Sequence, residues 1–129
     1  MSNNILIVED SAVMREVIKK TVLVSGISEG EILEAENGYD GLQQARKHWV
    51  DLVFTDLKMP RMDGMRFISE LKKNEVLSSI PVVVISQEGR DYMVGKALDL
   101  GTIAYITKPF RPEQIQRIAL KELGDDNEQ

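Results

Sequence analysis

The sequence predicts one α/β domain built on a doubly wound, five-stranded parallel sheet. Four short runs carry that prediction: Ile5–Val8, Leu52–Thr55, Val82–Ile85 and Ile103–Thr107 are largely apolar and rich in β-branched side chains. Runs of this kind read as strands buried between two layers. Segments of helical period lie between them. A strand–helix alternation repeated five times implies right-handed crossovers and helices on both faces of the sheet.

In chain order, Ile5–Val8 opens the sheet. Residues 11–25 follow as a helix with Val13, Met14, Val17, Ile18, Thr21 and Val22 on its inner face, Arg15, Glu16, Lys19 and Lys20 outward, and Gly26 as its stop. Ile32–Ala35 is short and half-polar, which suits an edge strand. Residues 37–48 form the next helix, with Gly38 and Gly41 weakening its first turn. Leu52–Thr55 is the third strand, and residues 65–74 place Phe67, Ile68 and Leu71 inward on the third helix. Val82–Ile85 leads to a shorter helix over 92–100, loosened by Gly95 and ended by Gly101. Ile103–Thr107 and a helix over 112–123 close the chain, with Pro112 suited to a first turn and Ile115, Ile118 and Ala119 buried. A weak second strand belongs at an edge, so the expected strand order is 2-1-3-4-5 rather than that of a Rossmann half.

Composition narrows the function classes. The chain has 129 residues, enough for one core without staples. It has no cysteine, which removes disulfides and thiolate metal sites and is compatible with a reducing, cytoplasmic setting. No apolar stretch approaches the ~20 residues of a membrane span, and the first residues carry no basic segment of a signal peptide. A net charge of -5 without basic runs argues against nucleic acid as a partner. The expected domain is 1–124, with 125–129 an acidic, frayed tail.

Chemistry gathers where the strands end. Ile5–Val8 runs into Glu9 and Asp10, Leu52–Thr55 into Asp56, Val82–Ile85 into Ser86, and Ile103–Thr107 into Lys108. In an open parallel sheet the ligand crevice lies beyond the carboxyl ends of the strands, so these side chains should share one small site. Three carboxylates held together repel, and a hard divalent cation relieves the repulsion; Mg²⁺ is the usual one where carboxylates meet phosphate. Carboxylate, Mg²⁺, hydroxyl and ammonium together can accept and hold a phosphoryl group. Singly, each residue has a plainer reading. Glu9-Asp10-Ser11 could be an N-cap, Asp56 and Ser86 loop residues, and Lys108 a solvated lysine at a turn. Their joint placement at four strand ends is what favours a site.

From Ile5 to about Leu123 the chain resembles the receiver domains of two-component response regulators, closest in layout to the single-domain chemotaxis type. The residues carrying the resemblance are Glu9-Asp10-Ser11, Asp56-Leu57-Lys58-Met59-Pro60, Met62-Asp63-Gly64, Ser86-Gln87-Glu88 and Lys108-Pro109-Phe110. The resemblance implies a flavodoxin-like fold and a signalling switch rather than an enzyme of external substrates. It implies Asp56 as phosphoacceptor from a partner histidine kinase. Mg²⁺ would be held by Asp10, Asp56 and the backbone carbonyl of Lys58, with Glu9 acting through water. Lys108 would ion-pair with the phosphoryl group and Ser86 would hydrogen-bond it. Tyr105 would change rotamer as Ser86 moves, and the Lys108–Pro109 peptide would be cis. The output surface would be the Tyr92–Leu100 segment, the last strand and Pro112–Leu123, on a monomer that binds a downstream protein.

Two positions depart from the family pattern. Glu9 lengthens one arm of the usual aspartate pair, and Lys58 replaces a smaller polar residue two places after the acceptor. Lys58 is either a solvated loop lysine or, with Glu88, a tuner of phosphate lifetime. His48, at a helix end, suits a dipole partner better than a phosphodonor. Rival readings fit less well. A phosphatase of the haloacid dehalogenase type wants a second aspartate at position 58. A flavin binder wants a Gly- and hydroxyl-rich first loop, where Glu9-Asp10 would repel phosphate. A phosphorelay shuttle or phosphate sink would share the same residues, and a phosphorylation-independent module would not need them.

Overall fold

The computed structural model describes residues 3–26 and 30–124. The acidic tail expected to fray, 125–129, lies outside the described residues. Strands β1 (Ile5–Val8), β2 (Ile32–Ala35), β3 (Leu52–Thr55), β4 (Val82–Ser86) and β5 (Ala104–Thr107) alternate with helices α1 (Ala12–Val24), α2 (Gly38–Lys47), α3 (Gly64–Lys73), α4 (Asp91–Asp99) and α5 (Pro112–Leu123). The five strands form one parallel sheet in the order β2-β1-β3-β4-β5, as the sequence predicts. A single 3₁₀ turn over Leu77–Ser79, which the sequence reading did not include, leads into β4.

Alternation along the strands divides the core into two layers. Leu6, Val8, Val53, Val82 and Val84 face α2, α3 and α4, where Leu42, Phe67, Ile68 and Ala97 meet them. Ile5, Ile7, Leu52, Phe54, Val83 and Ile85 face α1 and α5, against Ile18, Val22, Ile115 and Ala119. Each central strand therefore buries both faces. That is why β1, β3 and β4 read as unbroken apolar runs, whereas β2 is half-buried at the edge.

Helix α1 departs from its expected face. Val13 and Val17 are exposed, and the buried stripe narrows to Ile18, Thr21 and Val22, with Met14 partly covered. Arg15, expected outward, folds over the sheet edge instead. Its Nε lies 3.0 Å from a Glu34 carboxylate oxygen, and its guanidinium donates to the Glu9 carbonyl at 2.8 Å. The polar face of edge strand β2 thus draws the basic flank of α1 inward. Strand β5 begins one residue later than expected, leaving Ile103 exposed.

Gly38, read as a weak point of α2, has a packing reason. A Cβ there would come within 2.9 Å of Phe67 Cβ and 2.7 Å of the Met62 carbonyl oxygen. The same close approach lets the Gly38 N–H donate to that carbonyl at 2.9 Å, tying the loop after β3 to α2.

Candidate functional site

Every strand but β2 delivers polar side chains to the carboxyl end of the sheet. Register does the positioning: Val8 pairs with Thr55 and Val84 with Tyr105, so Glu9, Asp56, Ser86 and Lys108 follow at neighbouring strand ends. Glu9, Asp56 and Ser86 are buried there, and Lys108 is nearly so.

The Lys108 Nζ donates to Glu9 Oε1 at 2.9 Å and to Asp56 Oδ2 at 3.0 Å. Glu9 Oε2 accepts from the Ser11 N–H at 3.1 Å, so both oxygens of Glu9 are engaged. Ser11 also caps α1, its hydroxyl accepting from the Met14 N–H. The capping reading and the site reading of Glu9-Asp10-Ser11 thus hold together. Asp56 Oδ1 accepts from the Leu57 N–H at 2.6 Å, and the Asp56 N–H donates to the Val8 carbonyl. Burial is the largest influence on Glu9 and raises its pKa, with the Asp56 charge adding to it against the Lys108 and Ser11 hydrogen bonds. On Lys108 burial acts downward first, but the hydrogen bonds and charges of Glu9 and Asp56 outweigh it and raise its pKa.

The loop after β3 is shaped by Asp63 and Gly64. Asp63 caps α3 by accepting from the Arg66 N–H. Gly64 donates its N–H to the Leu57 carbonyl at 2.8 Å, and any Cβ on it would collide with the Asp56 carbonyl oxygen. Arg61, in the same loop, holds a left-handed φ of 66°, with its guanidinium over the Tyr39 ring and 3.6 Å from Asp40. The Lys108–Pro109 peptide is cis, as the resemblance implied.

A cation fits the acidic end of this site. Glu9, Asp10 and Asp56 each offer a carboxylate oxygen, all within 4.8 Å of one another. Asp10 is exposed, and among the described residues its side chain makes no hydrogen bond or ion pair, so it can turn its oxygens to an incoming ion. Glu9 is buried and its two oxygens are already fixed by Lys108 and the Ser11 N–H, so it is less free to turn toward an ion.

Beside the acids lies a cavity of about 140 Å³, lined by Asp56, Lys58, Ser86, Gln87 and Glu88. Lys58 and Gln87 are exposed at its rim, and Asp56 and Ser86 are buried. Of the two options for Lys58, reaching the phosphoryl oxygens or pairing with Glu88, the second is not formed, because Glu88 pairs with Arg90. Glu88 Oε2 accepts from Arg90 Nε at 2.7 Å and from the Arg90 N–H at 3.0 Å, and Oε1 accepts from the guanidinium at 2.7 Å. Those hydrogen bonds from Arg90 hold the Glu88 carboxyl down to about 2, with the Lys58 charge a lesser influence. Arg90 also lies over the Tyr92 ring. Arg90 went unnoticed in the sequence because it sits neither in a periodic pattern nor at a strand end. Gln87 was given no role because the run Val82–Ile85 pointed to Ser86, whereas β4 extends through Ser86 and Gln87 is the first residue beyond it.

Tyr105 is half-buried, and its hydroxyl donates to the Glu88 carbonyl, while the Glu88 N–H donates to the Ser86 hydroxyl at 3.1 Å. Burial raises the Tyr105 pKa foremost, with a hydrogen bond from Ser86 acting the other way. Ser86, Glu88 and Tyr105 are therefore already linked through one loop.

The sequence profile of the response regulator receiver domain matches residues 5–120. The chain belongs to that family. It is 34% identical to chemotaxis protein CheY of Bacillus subtilis over 124 residues, covering 96% of this chain and all of the relative. It is 33% identical to the phosphate regulon regulatory protein PhoB of Escherichia coli over 115 residues, covering 89% of this chain and 49% of that protein. The chain thus spans about half the length of several curated relatives and the whole of the Bacillus subtilis protein. The structure of the phosphorylated cyanobacterial phytochrome response regulator RcpA superposes with a TM-score of 0.85 at 25% identity, covering 95% of both chains. Receiver domains are signalling switches that receive phosphate from histidine kinases, and they bind Mg²⁺ at an acidic site. No helix among the described residues is long and apolar enough to cross a membrane.

Proposed function

We propose that this receiver domain takes a phosphoryl group from a partner histidine kinase onto Asp56 and changes its protein-binding surface in response. The observation that carries the reading is the placement of a buried Asp56 between Lys108 and a phosphate-sized cavity. In the transfer, an Asp56 carboxylate oxygen forms the new bond to phosphorus and the P–N bond to the donor histidine breaks. The imidazole leaves with the electron pair and takes up a proton. Lys108 moves its ammonium from the Asp56 carboxylate to the phosphoryl oxygens, and Ser86 donates its hydroxyl to them. Mg²⁺ would be held by Asp10, Asp56 and the Lys58 carbonyl, with Glu9 acting through water, and when bound it neutralises charge on the phosphoryl oxygens.

As Ser86 turns toward phosphate, its hydroxyl leaves the Glu88 N–H, and Tyr105 follows through the same loop. The signal then reaches α4, β5 and α5, where Tyr92, Leu98, Ile103 and Leu120 are exposed for a downstream protein. The unit acts as a cytoplasmic monomer over residues 1–124, with Lys58 setting phosphate lifetime. Glu88 contributes to that lifetime through Arg90 rather than through Lys58. Incubation with acetyl phosphate and Mg²⁺, followed by intact mass measurement, tests the acceptor. A gain of one phosphate that vanishes in Asp56→Asn supports it; no adduct, or an adduct that persists in Asp56→Asn, overturns it.

A further inference from the structure

We infer that Gln87 positions the water that hydrolyses the phosphoryl group on Asp56. The inference rests on Asp56 being the acceptor and concerns how that phosphate is lost.

Five residues line the cavity beside Asp56. Asp56 is the leaving group, and Ser86 lies buried at the cavity wall. Lys58 carries N–H donors only, so it can hold phosphate but cannot accept a hydrogen bond from water. Glu88 has acceptors, but Arg90 engages both of its oxygens at 2.7 Å and fixes the carboxylate toward itself, and its low pKa makes it a poor base near neutrality. Gln87 remains. It is exposed at the rim, and among the described residues its amide has no hydrogen-bond partner.

An amide suits the task because one planar group carries an acceptor and a donor. Its oxygen accepts a hydrogen bond from the water, while its N–H donates to a phosphoryl oxygen. A water held this way at the open side of the cavity faces the phosphorus from the side away from Asp56. Glutamine orients the attacking water in the same manner in phosphoryl-transfer enzymes of unrelated fold. In the step itself the water oxygen bonds to phosphorus and the P–O bond to Asp56 breaks. Asp56 leaves with the electron pair as a carboxylate. One water proton stays on the new oxygen and the other passes to a phosphoryl oxygen, so the first product is dihydrogen phosphate.

Gln87 is a positioning residue, and its variants should fold normally because the side chain is exposed. The test phosphorylates wild type, Gln87→Met and Gln87→Glu with acetyl phosphate and Mg²⁺, removes the donor, and follows adduct loss by intact mass. Gln87→Met keeps the length without the amide, and loss should slow by about tenfold, short of the ~100-fold of a true general base. Gln87→Glu keeps the water acceptor and should recover part of the rate, which a merely steric or structural role would not produce. Unchanged or faster loss in Gln87→Met, or no recovery in Gln87→Glu, overturns the inference. Absence of any adduct in wild type would instead overturn the acceptor reading on which it rests.

Discussion

Lys108 bridges Glu9 and Asp56, its Nζ 2.9 Å from one carboxylate and 3.0 Å from the other. One cation therefore compensates two buried acids. Removing it should leave an excess of buried negative charge, the situation that makes a broken buried ion pair costly. Lys108→Met, measured by urea unfolding in EDTA at pH 8, should lose about 3 kcal/mol, the low end for such a deletion. The loss should shrink as pH falls. The Lys108 pKa is raised, so its own contribution is fully present below its ordinary value of 10.5 and is lost only as pH rises through the raised one. It stays constant between pH 5 and 8. Glu9, already raised by burial, instead takes a proton more readily once Lys108 is gone, which relieves the repulsion. A pH-independent difference between the two proteins would contradict this account.

Asp10 should matter more to Mg²⁺ than Glu9 does. Both Glu9 oxygens are occupied, by Lys108 and by the Ser11 N–H, whereas Asp10 is exposed with its carboxylate unengaged among the described residues. Titration calorimetry should show Asp10→Asn weakening Mg²⁺ by about tenfold or more, with Glu9→Gln nearer wild type. Equal losses would refute the difference. Fluorescence is the poorer readout. The single tryptophan, Trp49, precedes β3 at the opposite pole of the sheet, where its carbonyl accepts from Asn4.

Two glycines should respond oppositely to alanine. In α4 a Cβ on Gly95 meets nothing within 4 Å, so Gly95→Ala should stabilise the protein by about 1 kcal/mol through helix propensity alone. At Gly64 the Cβ would strike the Asp56 carbonyl, so Gly64→Ala should displace the acceptor loop, lower stability and slow adduct formation. Urea unfolding checks both signs, and a neutral Gly64→Ala would mean that the loop yields easily.

How far the sequence shows these features depends on their range. The strands and their order were legible because a strand buried on both faces must be apolar throughout, as Ile5–Val8 is. The site was legible because parallel strands expose chemistry at one end, where Glu9, Asp56, Ser86 and Lys108 stand. Val13 and Val17 were misplaced because helical period marks an apolar stripe without giving its width, and α1 covers only the narrow space beside β1 and α5. The Arg90–Glu88 pair was invisible for another reason. Arg90 reaches back two residues across a turn, and charge pattern alone gave Glu88 an equally good partner in Lys58.

That pair should be visible in a titration. Arg90 holds the Glu88 carboxyl down to about 2, so carbon-detected NMR should place its midpoint near there in wild type. In Arg90→Ala the midpoint should return toward the ordinary value of 4.5. For a depressed carboxyl, the pairing contributes above the ordinary value and is lost as pH falls toward the depressed one. The exposed guanidinium makes the pair sensitive to salt, so added salt should raise the wild-type midpoint while leaving global stability nearly unchanged. A midpoint unaffected by Arg90→Ala would show that the contact does not hold in solution.

Lys58 should oppose Gln87. With Glu88 committed to Arg90, the Lys58 ammonium is left to reach the phosphoryl oxygens from the exposed rim of the cavity. There it holds the anion by a charge-assisted contact and crowds the approach of water. A cation can also stabilise charge in the transition state, which would speed hydrolysis. Shielding should dominate, because the ammonium engages the bound phosphate before any water arrives. Adduct loss should therefore quicken in Lys58→Ala and Lys58→Asn, and a slower loss would show that the cation assists hydrolysis. The double variant Lys58→Ala with Gln87→Met tests how the two are connected. If Lys58 mainly obstructs the water that Gln87 holds, removing Lys58 gains little once Gln87 is gone, and the two effects fail to add. Additive effects would instead mean that Lys58 acts on the phosphate alone, independently of that water.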